Sequence, residues 1–244
     1  MNTNAETHED QLVNELVEAV KTSICHQDAW VEPSGYPNAV SLAIIDNIYS
    51  LRARYGAAIN VVNNFVKVSA TQPGGVPRDS LSGLLDVINA HGGAEKAAES
   101  LFGNRSKSGG TGRLKSEVVH DVAHALRNTI IGGVSIDTAE QFREALETSP
   151  EAVKRAWLGV KGCGIASWNY MQMNLGIQTA KLDRHVDGFL SRVWKHSTPP
   201  HDPDTRVALL AKAATRLGTS TRVLDHNIWR HYVRKCDCSA SQEL

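Results

Sequence analysis

Apolar residues in this chain recur at three- and four-residue intervals and hardly anywhere at two, which restricts it to a fold of packed helices. Leu12, Leu16, Val17 and Val20 stand on one helical face at the i, i+4, i+5, i+8 spacing of an amphipathic helix. The same reading predicts helices over 40–55, 57–68, 81–90, 114–131, 138–147, 150–157, 165–175, 184–194, 204–217 and 222–234. Their starts are marked. Asp137 with Glu140 resembles a capping box, and Ser149 before Pro150 supplies an N-cap and a proline at the first helical position. About ten helices and no clear strand make an all-α protein.

At 244 residues and 41% hydrophobic content the chain can fill a core without staples. The expectation is a single globular unit over 1–235, a catalytic core at about 114–194 and a flexible tail from 236 to 244. No apolar run approaches the roughly 20 residues needed to span a bilayer, so no membrane partner is expected. The first ten residues are polar and acidic, unlike a secretory signal, and the default is a cytoplasmic monomer. Cys25, Cys163, Cys236 and Cys238 are scattered and indicate neither a disulfide framework nor a zinc site. Ten histidines without an HExxH grouping argue against a catalytic metal. The formal net charge is zero, which excludes coating nucleic acid through bulk positive charge, so DNA affinity would have to come from focused contacts.

Two polar stretches, 71–78 and 104–113, interrupt the helices, and neither is long enough to tether separate domains. The second reads NRSKSGGTGR and carries Arg105, Lys107 and Arg113, with Lys115 just beyond. These donors could follow a phosphate backbone, although a merely solvated loop has the same composition.

Residues 156–194 carry the chemistry: AWLGVKGCGIASWNYMQMNLGIQTAKLDRHVDGFLSRVW. Residues 158–164 place Lys161 and three glycines between two helices, which fits a tight hairpin. The main-chain N–H groups around Gly162, Gly164 and Ile165, with the positive end of the following helix, can hold a phosphate without reading a base. Taken alone, the glycines fit an ordinary helix–helix turn as well. Beyond the second helix come Gly176, a short link, and Asp183 at the N-cap of a further helix. Aspartate is favoured there for local reasons, but a carboxylate so held stays ionised and rigid, which suits a group facing developing positive charge.

The order GVKGCG, IASWNYMQMNL, glycine, link and LDRHV resembles the signature of the helix-hairpin-helix DNA glycosylase superfamily. The likeness covers roughly 114–194, and SLAIIDNIYSLRARY at 41–55 is similar to the helix that opens the catalytic region in that superfamily. The resemblance implies about ten helices in two lobes with the active-site cleft between them, double-stranded DNA containing a modified base as partner, and Asp183 as the catalytic residue. It implies no required cofactor, with hairpin carbonyls able to bind a monovalent cation. Bifunctional members carry a lysine in the first turn of the second hairpin helix. This chain has Ile165, Ala166 and Ser167 there, so no Schiff base and no strand cleavage are expected. Two cysteines near the end are too few for the four-cysteine cluster of iron–sulfur members.

Asp183 would stabilise the positive charge that builds on deoxyribose as the N-glycosidic bond breaks, and it could also orient or deprotonate the attacking water. The flipped base would be held between aromatic or apolar groups. Candidates are Trp30, Tyr36, Arg52, Tyr55, Trp168 and His226, with His226 and Trp229 sharing a helix face in LDHNIWRHY. Base-excision repair, removal of modified bases from invading DNA, and non-catalytic DNA binding by the hairpin are all compatible with these residues.

Overall fold

The computed structural model describes residues 7–54, 56–71, 75, 77–198 and 200–234. In chain order the elements are α1 (His8–Ser23), a 3₁₀ turn (Gln27–Ala29), α2 (Val40–Ser50), α3 (Ala57–Ser69), α4 (Leu81–Ala90), α5 (Ala94–Ser100), α6 (Lys115–Arg127), β1 (Ile130–Ile131), β2 (Val134–Ser135) and α7 (Ala139–Thr148). Then follow α8 (Pro150–Leu158), α9 (Ile165–Asn174), α10 (Arg184–Val193), α11 (Pro203–Arg216) and α12 (Thr221–Arg234). The chain is mostly helical, as its periodicity requires. No helix among the described residues is long and apolar enough to cross a membrane.

The chain groups into two compact units: Gly35–Ile177 forms one, and the segments on either side of it form the other. The boundary after Ile177 falls inside the stretch expected to be one catalytic core. The proposed tail at 236–244, with Cys236 and Cys238, lies outside the described residues.

The Gly35–Ile177 unit is organised around α2, which is buried on every side from Val40 through Tyr49 and packs against α3, α6 and α9. A helix apolar all round can only be central. Ile44, Ile45 and Ile48 lie in one core with Phe65, Leu84, Val119, Phe142 and Trp157. Burial of each such isoleucine contributes roughly 2 kcal/mol. In the flanking unit α1 packs on α11 and α10, and α12 on both α10 and α11. Leu16, Val20, Phe189, Leu190, Trp194, Leu210 and Ile228 make its core. Trp194 Nε1 donates to the Leu12 carbonyl at 2.9 Å, and Asn227 exchanges two 3.0 Å hydrogen bonds with the backbone of Val31. Cys25 is disulfide-bonded, which the scattered cysteines do not announce, whereas Cys163 is a free thiol.

Several boundaries differ from the sequence reading. α6 stops at Arg127 instead of running to 131, and β1 pairs with β2 through Gly132 and Gly133, whose φ values of 58° and 83° give the positive-φ pair of a type I′ turn. The capping box of α7 is one residue later than expected. Thr138 Oγ1 accepts the Gln141 N–H at 3.2 Å and Gln141 Oε1 accepts the Thr138 N–H at 3.0 Å. Asp137 instead accepts the Ser82 N–H and pairs with Arg127. α2 ends at Ser50, five residues early. Just past it Arg52 has φ 51°, the one non-glycine residue with positive φ among those described.

Candidate functional site

The hairpin begins where α8 closes, with Gly159 N–H donating to Arg155 O and Val160 N–H to Trp157 O. Cys163 N–H then turns back to Val160 O at 3.0 Å. Gly162, at φ 116°, makes the reversal, and a Cβ there would stand 2.8 Å from Ser108 Oγ and 3.1 Å from Val118 Cγ2. Only a residue without a side chain lets the turn lie against the 104–113 loop. Ser167 finishes the turn: its Oγ accepts the Gly164 N–H at 2.9 Å and the Trp157 indole N–H at 3.0 Å. The Ser167 carbonyl is gripped by Asn47 Nδ2 of α2 at 2.7 Å. α9 therefore starts from a fixed point, and the N–H groups of its first turn, beginning at Ile165, have no partner within the helix. A Cβ on Gly164 would meet nothing within 4 Å, and Lys161 is exposed.

The loop at 104–113 folds on itself beside the hairpin. Ser108 N–H donates to Arg113 O at 2.8 Å, and Lys107 and Leu114 form an antiparallel bridge. Arg105 and Lys107 are exposed, with Arg105 3.9 Å from Glu99. Arg113 is half-buried and bound to Asp121 at 2.6 Å. Lys115 differs from the expectation that it belongs with these donors. It is 4% exposed, and its ammonium donates to the Tyr49 and Leu51 carbonyls at 3.0 and 2.7 Å, closing the C-terminus of α2. Burial pulls its pKa down to about 8. Burial pushes the Cys163 thiol up to about 12, so it is no nucleophile at neutral pH.

The base-pocket candidates divide between the units. In the Gly35–Ile177 unit, Trp168 is 5% exposed and packs on Phe142 and Trp157 with ring centroids 6.1 and 6.4 Å away, and it also lines a surface pocket of about 430 Å³ with Arg143 and Gln172. Tyr36 is half-buried, and burial together with the Asp46 carboxylate raises its pKa to about 12. Asp46 accepts from the Tyr170 hydroxyl at 2.8 Å and from Asn174 Nδ2 at 3.1 Å. Arg52 is exposed, and its guanidinium lies over Gly109, where a Cβ would be 2.7 Å from Nη1. Tyr55 lies outside the described residues. In the flanking unit Trp30 lines a surface pocket of about 300 Å³ with Gln27, Glu32 and Val223, its indole N–H donating to Cys25 O. His226 stacks on Trp229 with centroids 5.7 Å apart. Burial and the nearby Arg230 and Arg222 guanidiniums lower its pKa to about 4, which leaves it a neutral imidazole at pH 7.

Asp183 is the N-cap of α10, as the sequence predicts. Its Oδ1 accepts the N–H groups of His185 at 2.8 Å and Val186 at 3.2 Å, and Oδ2 is outside the cap. The neighbouring group that sequence reasoning passed over is Asp225 on α12. It is buried, accepts a hydrogen bond from the Lys181 backbone, and has its pKa raised well above the usual carboxylate range by burial and then by the Asp183 charge. No local signal marks it, because Lys181 and Asp183 reach it from a distant part of the chain. Among the described residues no group of three or more His, Cys, Asp or Glu side chains converges as a metal site.

Residues 14–233 match the family described as a domain of unknown function, DUF8548, and the chain belongs to that family. No curated protein matches it in sequence.

Proposed function

We propose that this protein is a monofunctional DNA glycosylase on the helix-hairpin-helix glycosylase plan, hydrolysing the N-glycosidic bond of a modified base in double-stranded DNA. The observation that carries this reading is the state of Asp183: one oxygen is fixed by two backbone amides at a helix N-terminus and the other is left over. A carboxylate that is held rigid and half-exposed favours an oxocarbenium-like sugar over the neutral ground state, because its dipolar surroundings need no rearrangement as charge develops. The hairpin supports the same reading. Its α9 amides are anchored by Ser167 and Asn47, Gly164 is open, and exposed Lys107 and Lys161 lie on the segments that Gly162 holds together. Such a surface suits phosphate contact without base readout. No lysine replaces Ile165, Ala166 or Ser167, so the abasic site is the product.

The test is base release from duplexes that each carry one modified base, comparing the natural chain with Asp183→Asn and reading strand breaks before and after alkali. Breaks only after alkali, and only with Asp183 present, are the expected result. Loss of one such electrostatic group slows turnover by about 10²–10³. Asparagine caps helices as well as aspartate, so the variant should unfold at the wild-type temperature. Equal release by both proteins would remove Asp183 from the mechanism.

A further inference from the structure

Asp225 sits where a carboxyl has no structural reason to be. It is 4% exposed, and its Oδ1 is buried without any hydrogen-bond partner. An apolar side chain at this position of α12 would avoid the desolvation of an acid. What Asp225 touches is the backbone that carries Asp183. Lys181 N–H donates to the Asp225 carboxyl, while the Lys181 carbonyl accepts the Asp183 N–H at 2.6 Å. Lys181 therefore ties the Asp225 carboxyl to the backbone of Asp183, and α12 packs directly on α10, the helix that Asp183 caps.

We propose that Asp225 is a positioning residue for Asp183: the two carboxyls share a single proton, Asp225 holds it, and its O–H is directed at the oxygen of Asp183 that lies outside the helix cap. The role in turnover rests on the glycosylase reading. The proton sharing does not. Two carboxyls within electrostatic reach cannot both ionise at ordinary cost, and the more buried one keeps the proton. Here that is Asp225, and the charge is forced onto Asp183 at the helix N-terminus. The charged neighbours of Asp225 are Asp183, which favours the neutral acid, and Lys181, which opposes it in part. On its own helix, His226 faces Arg230 and Arg222, and Arg222 faces Glu32. A carboxylate that accepts from two amides and a carboxylic acid is a poor proton acceptor. Asp183 then acts by charge, and the attacking water loses its proton to bulk solvent after the C–O bond forms.

The deciding experiment is a pH titration of the full chain labelled with ¹³C at the aspartate carboxyls, without DNA, for the wild type, Asp225→Asn and Asp183→Asn. The signal missing from Asp225→Asn should be that of a neutral acid at pH 7. In Asp183→Asn its midpoint should fall by about one pH unit or more. An ionised Asp225 at pH 7, or a midpoint indifferent to Asp183, overturns the proposal. On a duplex that the wild type processes, Asp225→Asn keeps an N–H donor and should retain near-wild-type release. Asp225→Leu, which removes the donor, should slow release about ten- to a hundredfold, the worth of one hydrogen bond to a charged group. Equal activity of the two variants would likewise overturn it. If no duplex is processed while the titrations remain coupled, the glycosylase reading fails and the carboxyl pair stands.

Discussion

Gly162 and Gly164 are two residues apart, and the structure assigns them opposite sensitivities. An alanine at Gly162 must adopt φ near 116°, a backbone strain of about 1–3 kcal/mol. Its Cβ also approaches Ser108 Oγ to 2.8 Å and Val118 Cγ2 to 3.1 Å, overpacking of about 1–3 kcal/mol. Together these destabilise by about 4 kcal/mol, and at about 2–4 °C per kcal/mol the unfolding midpoint of the Gly35–Ile177 unit should fall by about 10 °C. Gly164 has φ −151°, extended backbone open to any residue, and space around its missing Cβ. Alanine there is a weaker N-cap by at most about 1 kcal/mol, offset by about 0.4–1 kcal/mol from restricting the unfolded chain, so the midpoint should hold within about 3 °C. On the proposed reading, its methyl would nevertheless stand where a phosphate approaches the α9 amides. Loss of one charge-assisted hydrogen bond weakens binding about ten- to a hundredfold. Differential scanning calorimetry gives the midpoints, and fluorescence anisotropy of a labelled duplex at one fixed salt concentration gives affinity. A Gly164→Ala protein that melts and binds like wild type would refute docking of DNA on the α9 N-terminus. A Gly162→Ala protein of unchanged midpoint would refute the contact with Ser108.

Three further outcomes are expected. Asp225 has a raised pKa in the folded state, so its contribution to stability is whole below about pH 4 and is lost above it at about 1.4 kcal/mol per pH unit until its proton leaves. Asp225→Asn should therefore gain on the wild type in urea unfolding as pH rises, and a constant difference would contradict this. Lys115 has a lowered folded pKa of about 8, so the unfolded chain binds the extra proton between pH 8 and about 10.5, and the wild type should gain up to about 3 kcal/mol over Lys115→Met across that window. A flat difference would mean that the ammonium is not buried. Tyr170→Phe removes one of the donors to buried Asp46 and should destabilise by about 1–3 kcal/mol, and an unchanged unfolding midpoint would dismiss that network.

What the sequence discloses here is what local chemistry decides. The hairpin glycines, the Ser149–Pro150 start of α8 and Asp183 as an N-cap are each set by residues within a turn of one another, and they stand where the pattern puts them. α5, with AEKAAES, buries only alanines on its inner face and shows no apolar stripe to read. β1 and β2 are hidden because Ile130 and Ile131 extend the apolar rhythm of α6, although the paired glycines carried the turn signal. Lys115 reads as a surface cation from its charge alone, since the carbonyls of Tyr49 and Leu51 that receive it belong to another helix. Asp225 reads as one more polar residue of α12 for the same reason: what makes it unusual is the company of Lys181 and Asp183. Positions whose character depends on distant partners are legible only once the fold brings those partners near.

The path of the chain imposes an order on its own making. α1 precedes Gly35–Ile177 in the chain, yet α10 and α11, the helices it packs against, are translated only after the whole of that unit. The inner unit has every one of its helices in hand by then and can close around α2 while α1, with Leu12, Leu16 and Val20 on one face, waits without a partner. During that interval an amphipathic stripe is open to chaperones and to neighbouring nascent chains. A truncation after Ile177 should leave a folded inner unit trailing a helix-forming segment, a species in which premature association, rather than misfolding of the core, is the hazard.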